Sequence, residues 1–182
     1  SVRSHQLANN AWEEGWLEEE VFPVGSLTRD EGIRPGTNEE ALSGLRTVFS
    51  EDGQVTAGNA SQVSDGASAV MIASEEAAEE LGLPVLARIV EYATSGVEAS
   101  RVMSAPIPTV RMLLEKTGRS IGEIDIIEHN EAFASASCAI RKSLEVPEGS
   151  FNPHGGAIAI GHPLGATGTR CLMTLVNAMS RT

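Results

Sequence analysis

Lysine is almost missing from this 182-residue chain: Lys116 and Lys142 are the only two. With 13 basic residues against 25 acidic ones the net charge is -12. Such a chain repels nucleic acid and anionic lipid, so neither is expected as a partner. The same Lys-poor, acid-rich balance suits a high-salt cytoplasm, although codon bias produces it too. Cysteine is also scarce. Cys138 and Cys171 lie 33 residues apart without a CxxC, which excludes a disulfide framework or a zinc ribbon and points to a reducing, cytoplasmic setting. No apolar run approaches the roughly 20 residues that span a bilayer, and no metal-ligand spacing stands out. What is present is a 41% apolar chain of near-neutral hydropathy, long enough for one domain or two small ones.

Both ends have the look of cut edges. Ser1 to Glu20 begins without Met, signal peptide or capping signature, and Leu7, Ala8, Ala11 and Trp12 already follow helical spacing. Thr169 to Thr182 is a second helical pattern, with Leu172, Leu175, Val176 and Met179 on one stripe. The expectation is a piece of a larger protein. Between the ends the pattern predicts strands at Glu20–Val24, Ala67–Ala73 (buried), Val85–Tyr92 and Ile126–Glu128. It predicts helices at Glu39–Phe49, around Ser61–Asp65, at Glu75–Leu81 behind a Ser74 cap, at Ile107–Thr117 and at Glu131–Leu144. This alternation argues for an α/β layered fold with both sheet faces covered, and Pro84 marks the expected domain boundary.

Three segments carry chemistry. In Asn152–Gly168, five glycines among 17 residues surround His162, which is held between Gly161 and Pro163. Glycines permit positive φ and close backbone approach, and Pro163 fits the first turn of a following helix. The spacing resembles a phosphate loop, but His162 stands where that motif needs Lys and Ser/Thr, so the pattern fails. The bland alternative is a structural histidine. In the second segment, His129-Asn130-Glu131-Ala132-Phe133-Ala134, a strand hands over to a helix, the place where α/β folds bind ligands. An amide there holds a water or a carbonyl oxygen, or serves as an ordinary helix-start residue. The third, Thr56 to Ala67, is rich in small residues that leave room for a ligand or for close helix packing.

Together these segments closely resemble the thiolase family, the acetyl-CoA acetyltransferases and 3-ketoacyl-CoA thiolases, over essentially the whole chain. The resemblance implies a layered α-β-α-β-α fold, incomplete in this chain. Residues 1–83 would be the end of an N-terminal thiolase domain with part of the CoA-binding loop region, and 84–182 a C-terminal domain truncated before its last strands. It implies an acyltransferase that condenses acetyl-CoA or cleaves 3-ketoacyl-CoA, taking CoA and its thioesters as substrates without a further cofactor, in a homodimer or homotetramer. That chemistry needs a thiolate to hold the acyl group, a base for the α-proton and donors for the thioester oxygen. By residue-to-residue matching, His162 is the catalytic histidine and Asn130 the asparagine that fixes a water in the same oxyanion hole. Ala57 and Ser61 would line the pantetheine channel, with Ala132 and Phe133 beside it, and Arg34 would approach the nucleotide end of CoA.

The family's two catalytic cysteines fall outside the residues present. Cys171 lies nine residues past His162 and eight past Pro163, which opens that helix, so it sits about 12 Å along the axis at roughly 1.5 Å per residue, and Cys138 reads as a small buried hydrophobe within a helix. His5 and His129 have no ligand spacing, while His154 either tunes the site or packs. The rival class is a thiolase-like CoA-binding or scaffold subunit without a nucleophile. Where the other half of the fold should sit, exposed apolar surface is expected. On this reading the isolated 182-residue chain shows no thiolysis of acetoacetyl-CoA; measurable CoA-dependent cleavage by the chain alone would overturn it.

Overall fold

The computed structural model describes residues 1–181. Its helices, in chain order, are α1 (Val2–Glu13), α2 (Glu39–Ser43), α3 (Glu75–Glu80), α4 (Pro106–Thr117), α5 (Ala134–Leu144), α6 (Ala157–Ile160) and α7 (Thr167–Ser180). Local chemistry explains most of the boundaries. Asn38 Oδ1 accepts from the Ala41 amide at 2.9 Å to cap α2, and Ser74 Oγ accepts from the Ala77 amide at 3.2 Å to cap α3, whose first turn carries Glu75 and Glu76. Pro106 opens α4, and Gly118 closes it in the left-handed region with φ 65°.

Two small cores hold the helices. Ile140, Leu144, Val146 and Phe151 form one, with Ile107, Val110, Ile121 and Ile127 packed against it, so that α4 and α5 share an apolar seam. The other joins α1 to α6 through Ala8, Ile33 and Ala159, flanked by Trp12 and Ile160. The second contact needs glycine: Gly155 sits at φ 81°, and a side chain there would meet the Ala8 methyl at 2.8 Å.

Several sequence expectations are corrected. β-pairing among the described residues is confined to four isolated bridges, Val24–Leu27, Thr47–Thr56, Ala60–Phe133 and Ile127–Phe151. The expected strands at 20–24 and 126–128 therefore reduce to one bridge apiece. Residues 67–73 and 85–92 run without a ladder and lie largely exposed, not buried: Met71 is 81% and Leu86 76% exposed. A strand exists only by pairing, and among the described residues neither segment takes part in a bridge.

Helical expectations shift for equally physical reasons. Gly44 ends α2, so nothing helical continues to Phe49. Residues 61–65 are not helical, because Ser61 N donates instead to Ala132 O at 2.9 Å. The same pairing delays α5 to Ala134, whose amide is given to Asn59 O. Pro163 precedes α7 by four residues, and its carbonyl accepts from Thr167 N at 2.9 Å and Thr167 Oγ1 at 2.8 Å. Helix α7 therefore starts at Thr167, two residues before the expected Thr169, and its buried residues are Thr167, Thr174 and Ala178 while Met179 is exposed. Thr182, at the end of that expected helix, lies outside the described residues.

The residue that fixes the central loops is Asn152, the largest fully buried side chain. Its Oδ1 accepts from His129 N at 2.6 Å, its Nδ2 donates to His129 O at 2.8 Å, and its own amide donates to Ile127 O at 2.9 Å. One amide side chain thus imitates a sheet neighbour for residues 127–129, at a backbone φ of 43° that Asn tolerates better than most residues. Replacing Asn152 with Ala leaves the buried His129 N–H and C=O unpaired and is expected to cost roughly 2–4 kcal/mol. Urea unfolding measures this, and an unchanged midpoint would refute the assignment.

Candidate active site

The handover after residue 128 and the glycine-dense loop meet at Asn130 and His162. Asn130 Nδ2 stands 3.2 Å from His162 Nε2, and His162 Nδ1 lies 2.7 Å from Thr167 Oγ1. The direction of this relay follows from its far end. The Thr167 hydroxyl donates to Pro163 O, so it accepts from the ring, which places the imidazole proton on Nδ1 and leaves Nε2 as an acceptor for the Asn130 amide. His162 is thereby held as a neutral base with its lone pair toward Asn130. Burial and the charge of Arg170 both push its pKa below the ordinary imidazole value, in keeping with that form.

Backbone contacts hold the two loops together. His162 N donates to Gln62 O at 3.2 Å, and Ser61 N binds Ala132 O, so residues 59–62 bridge the two loops. Gly161, at φ 95°, lies against Ser64, and a side chain there would collide with the Ser64 side chain. Behind the loop, Ser4 Oγ on α1 donates to Glu131 Oε2 at 2.6 Å and accepts from Gly156 N at 3.1 Å, which ties the buried Glu131 to α1 and α6.

The remaining sequence-selected residues divide into two groups. Arg34, Ala57 and Ser61 line one cavity of about 360 Å³ together with His5, Gln62 and Ile158. Ala132 and Phe133 lie beside it through the Ala60–Phe133 bridge and the Ser61 bond, without lining it. The histidines set aside on spacing have structural work. His5 Nδ1 accepts from Arg34 N at 3.2 Å and His129 packs on Phe151; His154, left open between tuning and packing, stacks on Trp16 with centroids 4.4 Å apart.

Cys138 is exposed, correcting its reading as a buried hydrophobe: α5 turns Ser137, Ile140 and Leu144 to the core and Cys138 outward. Cys171 is half-buried, and burial pushes its thiol pKa up, away from thiolate reactivity. Among the described residues no group of three or more His, Cys, Asp or Glu side chains gathers as a metal site, and no helix is long and apolar enough to cross a membrane.

Sequence reasoning assigned no role to Gln62, Thr167, Glu128 or Arg170. Gln62 Nε2 reaches Gly32 O, Ile158 O and Ala159 O at 2.9–3.1 Å, pinning the cavity wall to α6. No local pattern marks such a residue, because its partners lie 30 to 97 positions away. Thr167 was legible in principle, as the first hydroxyl after Pro163.

Comparison with known proteins agrees with this geometry. The profile of the thiolase N-terminal domain matches residues 1–76, and that of the thiolase C-terminal domain matches residues 83–182. The chain belongs to the thiolase family. It is 41% identical to the human peroxisomal 3-ketoacyl-CoA thiolase and 43% identical to the acetyl-CoA acetyltransferase of Paracoccus denitrificans, with all of this chain aligned to 46% and 48% of those proteins. Human mitochondrial 3-ketoacyl-CoA thiolase in complex with CoA superposes with a TM-score of 0.90 at 38% identity, covering 99% of this chain and 46% of that one. The chain thus spans about half the length of these thiolases, and its α/β fold is the thiolase fold over that span.

Beside the thiolase site Glu128 is buried with neither carboxylate oxygen hydrogen-bonded, and burial raises its pKa to about 8. Unfolding releases this group to ionise near 4.5, so the folded state holds the extra proton and loses stability as pH rises from about 4.5 to about 8. Glu128→Gln removes that loss. Urea midpoints at pH 5 and pH 8 are expected to lie closer together in the variant than in the parent, and parallel pH trends would contradict a neutral Glu128.

Proposed function

We propose that this chain is part of an enzyme that transfers acyl groups between CoA thioesters, condensing acetyl-CoA or cleaving 3-ketoacyl-CoA with CoA. The observation that carries the reading is the 3.2 Å contact between Asn130 and His162, with the imidazole tautomer set by Thr167. A neutral Nε2, once the Asn130 amide releases its lone pair, accepts the proton of an attacking thiol. Once protonated, the same nitrogen donates to the thioester oxygen as negative charge develops there. The second N–H of the Asn130 amide remains for a water or for that oxygen. His162 and Asn130 are thus the catalytic pair.

Ala57 and Ser61, beside Ala132 and Phe133, form the wall along which the pantetheine arm of CoA lies, and Arg34 meets its anionic nucleotide end. The cavity shared by Arg34, Ala57 and Ser61 supports that path. A net charge of -12 makes such a local cation necessary for an anionic substrate. Neither Cys138 nor Cys171 serves as the nucleophile; in the family pattern that cysteine belongs to the preceding half. No metal or cofactor beyond CoA takes part. A division at Pro84, into 1–83 and 84–182, is supported by family matches that end at residue 76 and resume at 83. A reducing compartment such as the cytoplasm and a homodimer or homotetramer complete the reading, the former supported by the two unpaired cysteines.

The test is CoA-dependent loss of 3-ketoacyl-CoA catalysed by the whole protein. Asn130→Ala is expected to lower kcat by about 10²–10³-fold, the usual cost of one oxyanion donor. Failure of the whole protein to cleave any 3-ketoacyl-CoA would favour the inactive, CoA-binding scaffold.

A further inference from the structure

Two adjacent residues reach both loops of the site. Ser61 N donates to Ala132 O at 2.9 Å, and Gln62 O accepts from His162 N at 3.2 Å. Ala132 N in turn donates to Asn130 O at 3.0 Å. The dipeptide 61–62 is therefore a covalent spacer between the turn that carries Asn130 and the loop that carries His162. Its internal geometry is fixed by the planar peptide, but hydrogen bonds at its two ends alone leave it free to rock about the line that joins them. A third restraint off that line is needed.

The Gln62 side chain supplies it. Nε2 donates to Gly32 O at 3.0 Å, to Ile158 O at 2.9 Å and to Ala159 O at 3.1 Å. An amide nitrogen carries two protons, so the three carbonyls share them. Gly32 belongs to the loop that carries Arg34, while Ile158 and Ala159 lie on α6, which ends at Ile160 just before Gly161 and His162. The fit is close: a Cβ on Gly32 would collide with both terminal atoms of Gln62 and come within 2.7 Å of Ala159 O. Gln62 also lines the cavity shared by Arg34, Ala57 and Ser61.

We propose that Gln62 is a positioning residue for His162, whose side-chain amide fixes the 61–62 spacer against Gly32 and α6 and so sets the 3.2 Å contact between Asn130 and His162. The consequence for catalysis rests on the acyl-transfer reading above; the spacing itself does not. Gln62 touches no reacting atom and acts through the His162 backbone. The acceptor of that bond is a backbone carbonyl, so a side-chain replacement loosens the bond without deleting it.

Hydrogen exchange of the histidine backbone amides decides the matter, in the whole, histidine-labelled protein without substrate. The two signals needed are identified by their loss in His162→Gln and His129→Gln. His129 N, bonded to Asn152 Oδ1 at 2.6 Å and taking no bond from Gln62, is the internal reference. Gln62→Met keeps the side chain's length and removes both N–H groups. It is expected to speed exchange at His162 about tenfold relative to His129. In thiolysis it is expected to lower kcat by up to about 10²-fold, the scale of a small misplacement of a reacting group. Gly32→Ala, which displaces the amide without altering residue 62, is expected to do the same. Equal acceleration at both amides marks general loosening and overturns the proposal, as does an unchanged His162 rate or an unchanged kcat beside a loosened His162. Should Gln62→Met fail to fold, Gly32→Ala decides by the same two amides. A whole protein without thiolysis sinks the functional reading, and the exchange ratio still answers for Gln62.

Discussion

Everything at the site depends on one buried amide. Asn152 takes both polar groups of the His129 backbone and gives its own N–H to Ile127, so residues 127–130 are held as though by a neighbouring strand. Backbone groups in the interior must be paired, and here a side chain supplies what an absent ladder does not. The chain that carries Asn130 is therefore anchored one residue upstream, and Asn152 itself begins the loop that carries His162. Asn130 and His162 are thus placed by the same residue.

From that anchor the site is assembled by proton direction as much as by distance. The hydroxyl of Thr167 spends its proton on Pro163 O, which compels the ring of His162 to donate from Nδ1 and to present Nε2 to Asn130. A buried arginine on the next turn acts in the same sense electrostatically. Hydrogen bonding sets the tautomer, while burial first and the charge of Arg170 second favour the neutral ring.

The outer parts of the chain obey different physics. Residues 67–73 and 85–92 have the β-branched and small apolar composition of strands, yet lie open to solvent without ladders. Extended conformation is a local preference; a strand is a relation between two segments. The helices α3 and α4, by contrast, form as the sequence predicts because their boundary signals are local, the Ser74 cap with Glu75 and Glu76 for α3 and Pro106 with Gly118 for α4.

The sequence by itself determined the Ser74 helix cap, the clustering of glycine around His162, the position of Asn130 just ahead of a helix and the membership of the thiolase family, since all of these reside in residue identity at short spacing. Only the tertiary structure decided which segments pair, that α5 waits until Ala134, that Cys138 faces outward, that Arg34, Ala57 and Ser61 share one cavity, and that Asn152, Gln62 and Thr167 hold the loops around Asn130 and His162. The reason is range. Gln62 finds its partners 30 to 97 residues away, and a buried charge such as Arg170 is defined by what fails to reach it, neither of which any local pattern encodes.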